Sequence, residues 1–318
     1  MKFLQRTLAA VLLSVTVFSF GSPLAAQTVT DTGAEARGDF VLEPGKIEVF
    51  VNPGETVTKS ISVISRIARK TQFEVSVEDF IGTQDPDSPV LLLEDDSSPY
   101  SFRKNFAPAV DRFSLDLGQR IQIPVTITVP QDARPGGYYS SVIVAGLPPE
   151  GTLSGEAGTT KIVSRLGVLF FVRVNGPVSE EGKLEDFRAK GPGAGVIQGG
   201  PITFEILFRN KGNVHLVPYG MIKVKNLFGR EVGSVPVDAY FSLPDSLRYR
   251  QVEWKKEALF GRYTASLSLN TGYGDVVEEK QVSFWVIPWK YVAGIAAVIF
   301  ILVSGFYLFG RKFELKRK

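Results

Sequence analysis

Ile121-Gln122-Ile123-Pro124-Val125-Thr126-Ile127-Thr128-Val129 decides the fold class. Five apolar residues fall on odd positions, and Gln122, Pro124, Thr126 and Thr128 fall between them. Successive side chains of a β-strand point to opposite faces, so this period of two describes a strand with one buried face. The same alternation recurs at Phe73, Val75 and Val77, at Ile202, Phe204, Ile206 and Phe208, and at Tyr263, Ala265, Leu267 and Leu269. Turn clusters separate these runs: Asn52-Pro53-Gly54, Arg134-Pro135-Gly136-Gly137, Phe228-Gly229-Arg230 and Thr271-Gly272-Tyr273-Gly274. No helical period interrupts them before the C-terminal segment. Many short strands at such spacing predict an all-β protein of immunoglobulin-like β-sandwiches.

Two sandwiches are expected. The first spans 40–176 and closes on the apolar run Val168-Leu169-Phe170-Phe171-Val172, the pattern of a strand buried on both faces. Gly176-Pro177 begins the break, and the second spans 177–287. The polar stretch 27–39 (QTVTDTGAEARGD) reads as a disordered lead-in. Pro124 cannot donate to a ladder, so its strand is expected at a sheet edge or bulged there. Ala133, Gly136 and Tyr138 recur in spacing as Ala258, Gly261 and Tyr263, each triplet preceding an alternating strand. A corner that needs glycine, followed by a tyrosine packed at the sandwich edge, accounts for both. Aromatic ligand contact is the other reading.

The two ends belong to a membrane. Lys2 and Arg6, the apolar core Leu8–Phe20 and the exit Pro23-Leu24-Ala25-Ala26 read as a signal peptide over 1–26, against an uncleaved anchor as the alternative. Tyr291–Phe309 is free of charge and, at ~1.5 Å per residue, long enough to cross a bilayer core. A transmembrane helix over 288–310 and a basic tail over 311–318 are therefore expected. Trp285, Trp289 and Tyr307 sit where aromatic belts form. Arg311, Lys312, Lys316, Arg317 and Lys318 against Glu314 place the tail in the cytoplasm and the sandwiches outside the cell membrane. The formal charge of +3 comes from these ends; the remainder has 28 basic and 32 acidic residues, so nothing points to nucleic acid.

Candidate sites are few. The chain has no cysteine, so it has neither thiol chemistry nor cysteine metal sites, and its domains must fold by core burial alone. His215 is the single histidine. No Gly-x-Ser-x-Gly elbow accompanies it, and a turn or edge role is expected, so the chain does not read as an enzyme. Asp85, Asp87, Glu94, Asp95 and Asp96 offer hard oxygens for calcium between Asp85 and Asp96, but in no calcium-loop spacing; a solvated loop is the competing reading, and no cofactor is otherwise expected. Tyr100, Phe102, Arg103 and Phe106, with Lys104 and Phe113, would form a ligand or partner surface, or would plug one end of the sandwich.

Leu42-Glu43-Pro44-Gly45 and Val51-Asn52-Pro53-Gly54-Glu55-Thr56-Val57 resemble the first strands of the WxL-interacting protein family. The stretch from Ile123 through Val129-Pro130-Gln131-Asp132-Ala133-Arg134-Pro135-Gly136-Gly137-Tyr138-Tyr139 is similar to that family's first domain. Leu243-Pro244-Asp245-Ser246 and Gly261-Arg262-Tyr263 are similar to its second. The resemblance covers most of residues 40–310. It implies a surface protein whose first domain binds peptidoglycan and whose second engages host or partner proteins. The matched motifs are turns and strands, so no binding residue is implied. An LPxTG-type signal does not precede the anchor. The functional expectation is a non-enzymatic, membrane-anchored surface module that binds cell-wall polymer or surface proteins. The alternative is an assembly partner, similar to a pilus chaperone or a complex subunit, acting through strand edges.

Overall fold

The computed structural model describes residues 28–85, 88–148, 163–193 and 196–312. The signal segment 1–26, and the tail from residue 313, lie outside the described residues.

The first sandwich contains β1 (Val29–Asp31), β2 (Phe40–Glu43), β3 (Lys46–Val51), β4 (Thr56–Ser65), β5 (Thr71–Ile81), β6 (Leu91–Leu92), β7 (Phe106–Pro108), β8 (Arg112–Leu115), β9 (Gln119–Thr128), β10 (Gly136–Gly146) and β11 (Arg165–Val174). One sheet has the order β1-β9-β4-β2, with β7 also on β9; the other has β3-β11-β10-β5-β6, with β8 also on β5. The chain changes sheets at Pro44-Gly45. β2 pairs with β4, and β3 then runs parallel to β11. Ile121, Ile123, Val125 and Ile127 of β9 meet Val168, Phe170, Val172 and Val174 of β11 in one core.

The second sandwich contains β12 (Gly182–Lys190), β13 (Ile202–Asn210), β14 (Tyr219–Asn226), β15 (Glu231–Val237), β16 (Ser246–Trp254), β17 (Gly261–Asn270) and β18 (Val277–Val286). Its sheets are β12-β13-β16 and β15-β14-β17-β18. The alternating residues of β13 and β17 form its core with Trp254 and Phe284. Helix α1 (Trp289–Lys312) follows β18 after only Ile287 and Pro288. Its segment Trp289–Phe309 has 21 residues, a mean hydropathy of 2.5 and no buried residue, so it is long and apolar enough to cross a membrane.

Two expectations are corrected. The lead-in is not structureless from 28 onward: Val29–Asp31 pairs with β9, and Thr32 N–H donates to Gly118 O at 2.8 Å, so the first sandwich begins there. Pro124 does not mark an edge, because β9 lies inside its sheet, with Ser60 of β4 opposite. Its carbonyl accepts from Ala109 N–H, which shows that its nitrogen faces the β1/β7 side. There β1 pairs only as far as Ile121 and β7 only from Val125, so the missing donor falls in the gap between two short strands.

Both tyrosine corners are built at glycines with positive φ, Gly136 (149°) and Gly261 (98°). Tyr138 Oη donates to Arg134 O at 3.0 Å, and Tyr263 Oη to Phe260 O at 3.2 Å. Tyr263 is buried in its core; Tyr138 is half-buried and lies against Phe102, ring centroids 4.6 Å apart.

Candidate partner interface

β11 is buried on two faces for two different reasons. Its even residues fill the first core. Phe171 points the other way and is fully buried against the second domain. Its ring meets Phe80 and Tyr139 from its own domain and His215 and Phe241 from the other, at centroid distances of 5.7, 5.4, 4.9 and 5.2 Å. Polar contacts surround this aromatic seat. Tyr100 Oη donates to Asp245 Oδ2 at 2.8 Å, Gly137 N–H to Asn213 O at 2.9 Å, and Leu247 N–H to Thr83 O at 2.9 Å. Burial, and then the bond to Asp245, push the Tyr100 hydroxyl up in pKa. The two sandwiches therefore present β3 and β11 along a fixed inner edge.

That edge is half closed. β10 accompanies β11 from Arg165 to Val174, whereas β3 joins only from Leu169. Leu169 N–H donates to Gly45 O on the β3 side, and Ser164 O accepts from Gly146 N–H on the β10 side. Backbone groups alternate along a strand, so those of Arg165 and Gly167 face outward. Among the described residues, Arg165–Val168 has β10 as its single strand partner. Leu166 is 40% exposed, although it has the parity of the core-facing residues. Other sheet edges carry the usual protection against pairing: Pro236 on β15, Glu278, Glu279 and Lys280 on β18, and Arg248 and Arg250 on β16. Leu166-Gly167-Val168 carries none.

The expected surface at 97–113 is corrected. Phe102 and Phe106 are buried in the first core, not presented outward. The fully buried carboxylate of Asp79 fixes the segment by accepting from Phe102 N–H, Arg103 N–H and Ser140 Oγ at 2.8, 2.8 and 2.7 Å. Arg103 donates to the carbonyls of Glu94 and Asp95 on the neighbouring exposed loop. Tyr100 belongs to the domain junction. Asp87 lies outside the described residues, and among those described no three acidic or histidine side chains group as a metal site. His215 is not a turn residue open to solvent. It is buried between Tyr139 and Phe171, with Nε2 3.8 Å from Glu48 Oε1, and burial lowers its pKa to about 4. Burial works against ionisation of Glu48, but the bond and charge of Lys46 and the charge of His215 hold its pKa below the usual value.

A shallow depression on the β12-β13-β16 sheet is lined by Asp186, Arg188, Lys190, Glu205, Leu207, Tyr249 and Gln251. Its charges are matched internally: Lys190 to Glu205 at 2.7 Å and Arg188 to Asp186 at 2.5 Å. Sequence reasoning missed the junction residues Phe80, Tyr139, Phe171 and Leu243. The one signal was the unbroken apolar run 168–172, which announced a second buried face without saying what covers it.

No family model matches the chain, and no curated protein matches it. Several solved structures are similar. The class 5 fimbriae chaperone CfaA is 11% identical with a TM-score of 0.36, over 79% of this chain and 100% of that one. The E. coli chaperone DraB is 14% identical with a TM-score of 0.34, over 78% and 97%. The Salmonella enterica SafA pilin–SafB chaperone complex contains a chain 13% identical with a TM-score of 0.35, over 80% and 99%.

Proposed function

We propose that this chain is a non-enzymatic, membrane-tethered assembly partner that captures an extended segment of another protein along the open half of β11. The supporting observation is the outward-facing backbone of Arg165 and Gly167, ahead of the point where β3 begins to pair. An incoming strand would continue the ladder on that side. Main-chain hydrogen bonds would supply affinity, and the mouth at Leu166 would take an apolar side chain. The rigid junction holds the edge in place, and α1 keeps it at a bilayer.

The test separates backbone pairing from side-chain contact. Arg165→Pro removes an outward N–H and leaves the β10 ladder intact, because the neighbouring Ser164 carries the bond to Gly146. Arg165→Ala removes only the side chain and its ion pair with Glu78. A photo-crosslinker at Leu166 of the full chain, in its native membrane, is expected to trap a protein in the wild type and in R165A, and to lose it in R165P. Equal trapping in R165P overturns the edge reading. Co-sedimentation with purified cell wall that is unaffected by R165P, without a trapped protein, favours wall polymer instead.

A further inference from the structure

The membrane-proximal end of the second sandwich is apolar where soluble domains are polar. Register identifies that end. Gly261 pairs with Val286, the last residue before the link to α1, and Asn226 pairs with Tyr263. Ile197 bridges to Val286, and Ile287 N–H donates to Ile197 O at 2.8 Å. The β14–β15 tip, the segment 255–260 and the loop carrying Val196 therefore lie around the root of the helix.

Their exposed residues form a rim. Phe228 is 89% exposed, more than Phe306 of α1 at 83%. Phe260 is 71% exposed, Leu227 61% and Val196 49%, and Trp285 and Trp289 stand beside them. The tip that carries Phe228 is a built turn: Asn226 Oδ1 accepts from Phe228 N–H at 3.1 Å and Arg230 N–H at 3.0 Å, and Gly229 supplies a φ of 76°. Arg230, Lys255, Lys256, Arg262 and Lys290 are exposed at the same end, against Glu231 and Glu257. Aromatic residues interleaved with cations are the chemistry of a headgroup layer.

Depth fits as well. Neighbouring strands lie ~4.8 Å apart, so β14, two strands from β18, places the tip roughly 10 Å to the side of the helix root. Along the strands Asn226 is level with Phe284, so Phe228 is level with about Val286, roughly 10 Å above Trp289 at ~3.3 Å per residue. That is the interfacial layer, not the hydrocarbon core.

We infer that this rim, with Leu227, Phe228 and Phe260 at its centre, is a second membrane contact that seats the domain on an anionic lipid surface. The inference rests on α1 being the anchor. The chain has no cysteine, so single cysteines can be labelled without background. Phe228→Cys and, at the far end of the same sheet about ten residues away, Asp275→Cys would each carry an environment-sensitive fluorophore. The full chain would be placed in nanodiscs of phosphatidylcholine with phosphatidylglycerol, with and without brominated acyl chains. The label at 228 is expected to emit to the blue of that at 275 and to be quenched by bromolipid, more strongly with phosphatidylglycerol than with phosphatidylcholine alone. An aqueous signal at both sites overturns the inference. A blue-shifted signal without bromolipid quenching also overturns it, because protein would then cover the rim. Flotation of the same sample reports the anchor separately: a chain that does not float overturns α1 as the anchor, and the rim with it.

Discussion

Phe171→Ala tests whether the two sandwiches are one mechanical unit. A buried phenylalanine removes roughly 150–250 Å² from water, and at ~25 cal/mol per Å² its removal costs about 4–6 kcal/mol. Measured truncations of this kind cost ~3–5 kcal/mol once the site relaxes. Two of the four rings around Phe171, His215 and Phe241, belong to the second domain. About half of the loss, ~2 kcal/mol, therefore falls on coupling between domains. Phe170→Ala is the matched control. It is equally buried one residue away, but in the first core. Scanning calorimetry of the full chain in detergent should show F170A lowering the single joint transition by roughly 10 °C, from ~4 kcal/mol at about 2–4 °C per kcal/mol. F171A should instead split the profile into two transitions. If F171A gives the same unsplit shift as F170A, the junction does not couple the domains.

Three further outcomes follow from named contacts. Tyr263→Phe, which frees a part-buried Phe260 carbonyl, should cost about 1 kcal/mol and Tyr263→Ala ~3–5 kcal/mol, with Tyr138→Phe costing less because its bond to Arg134 O is exposed; equal losses in denaturant titration at both tyrosines would contradict this. His215 titrates near 6.5 when unfolded and at about 4 when folded, so between those values the unfolded chain binds the extra proton. Stability should therefore fall by about 3 kcal/mol as pH drops from 6.5 to 4 and be flat with respect to this group above 6.5, and His215→Phe should remove that slope; an unchanged slope would refute the assignment. Gly82→Ala would place a Cβ 2.4 Å from Ser246 Cβ and 2.8 Å from Leu243 Cβ, so it should cost about 1–3 kcal/mol and open the link at 176–181 to protease; unaltered cleavage would mean that the junction yields freely.

What the sequence discloses follows from how each element is stabilised. Strands with one wet face, such as β9, β13 and β17, announce themselves by period two. The C-terminal apolar helix does so by length and absence of charge. β1 is hidden, because three residues without apolar alternation are held by pairing to β9 alone. Phe102 and Phe106 sit among prolines, a lysine and an arginine and so read as a surface; the buried Asp79 that draws the segment inward lies more than twenty residues away. The open half of β11 cannot be seen from one strand, because it is a property of where β3 begins. His215 looks like a turn residue for the same reason, since its burial comes from another domain.

Ile287 and Pro288 are the entire connection between sandwich and helix, and Ile287 is itself bonded to Ile197. Association normally forfeits ~4–15 kcal/mol of translational and rotational freedom. A domain on a long flexible tether would keep much of that freedom and lose it at capture. With α1 inserted as proposed, tumbling is already surrendered, and a junction that holds the two sandwiches as one unit extends the restriction to β11. On the proposed function, an edge held in this way would search in two dimensions with its orientation fixed. A segment too weak to bind a free copy of this chain in solution would still be held when it is delivered at the membrane.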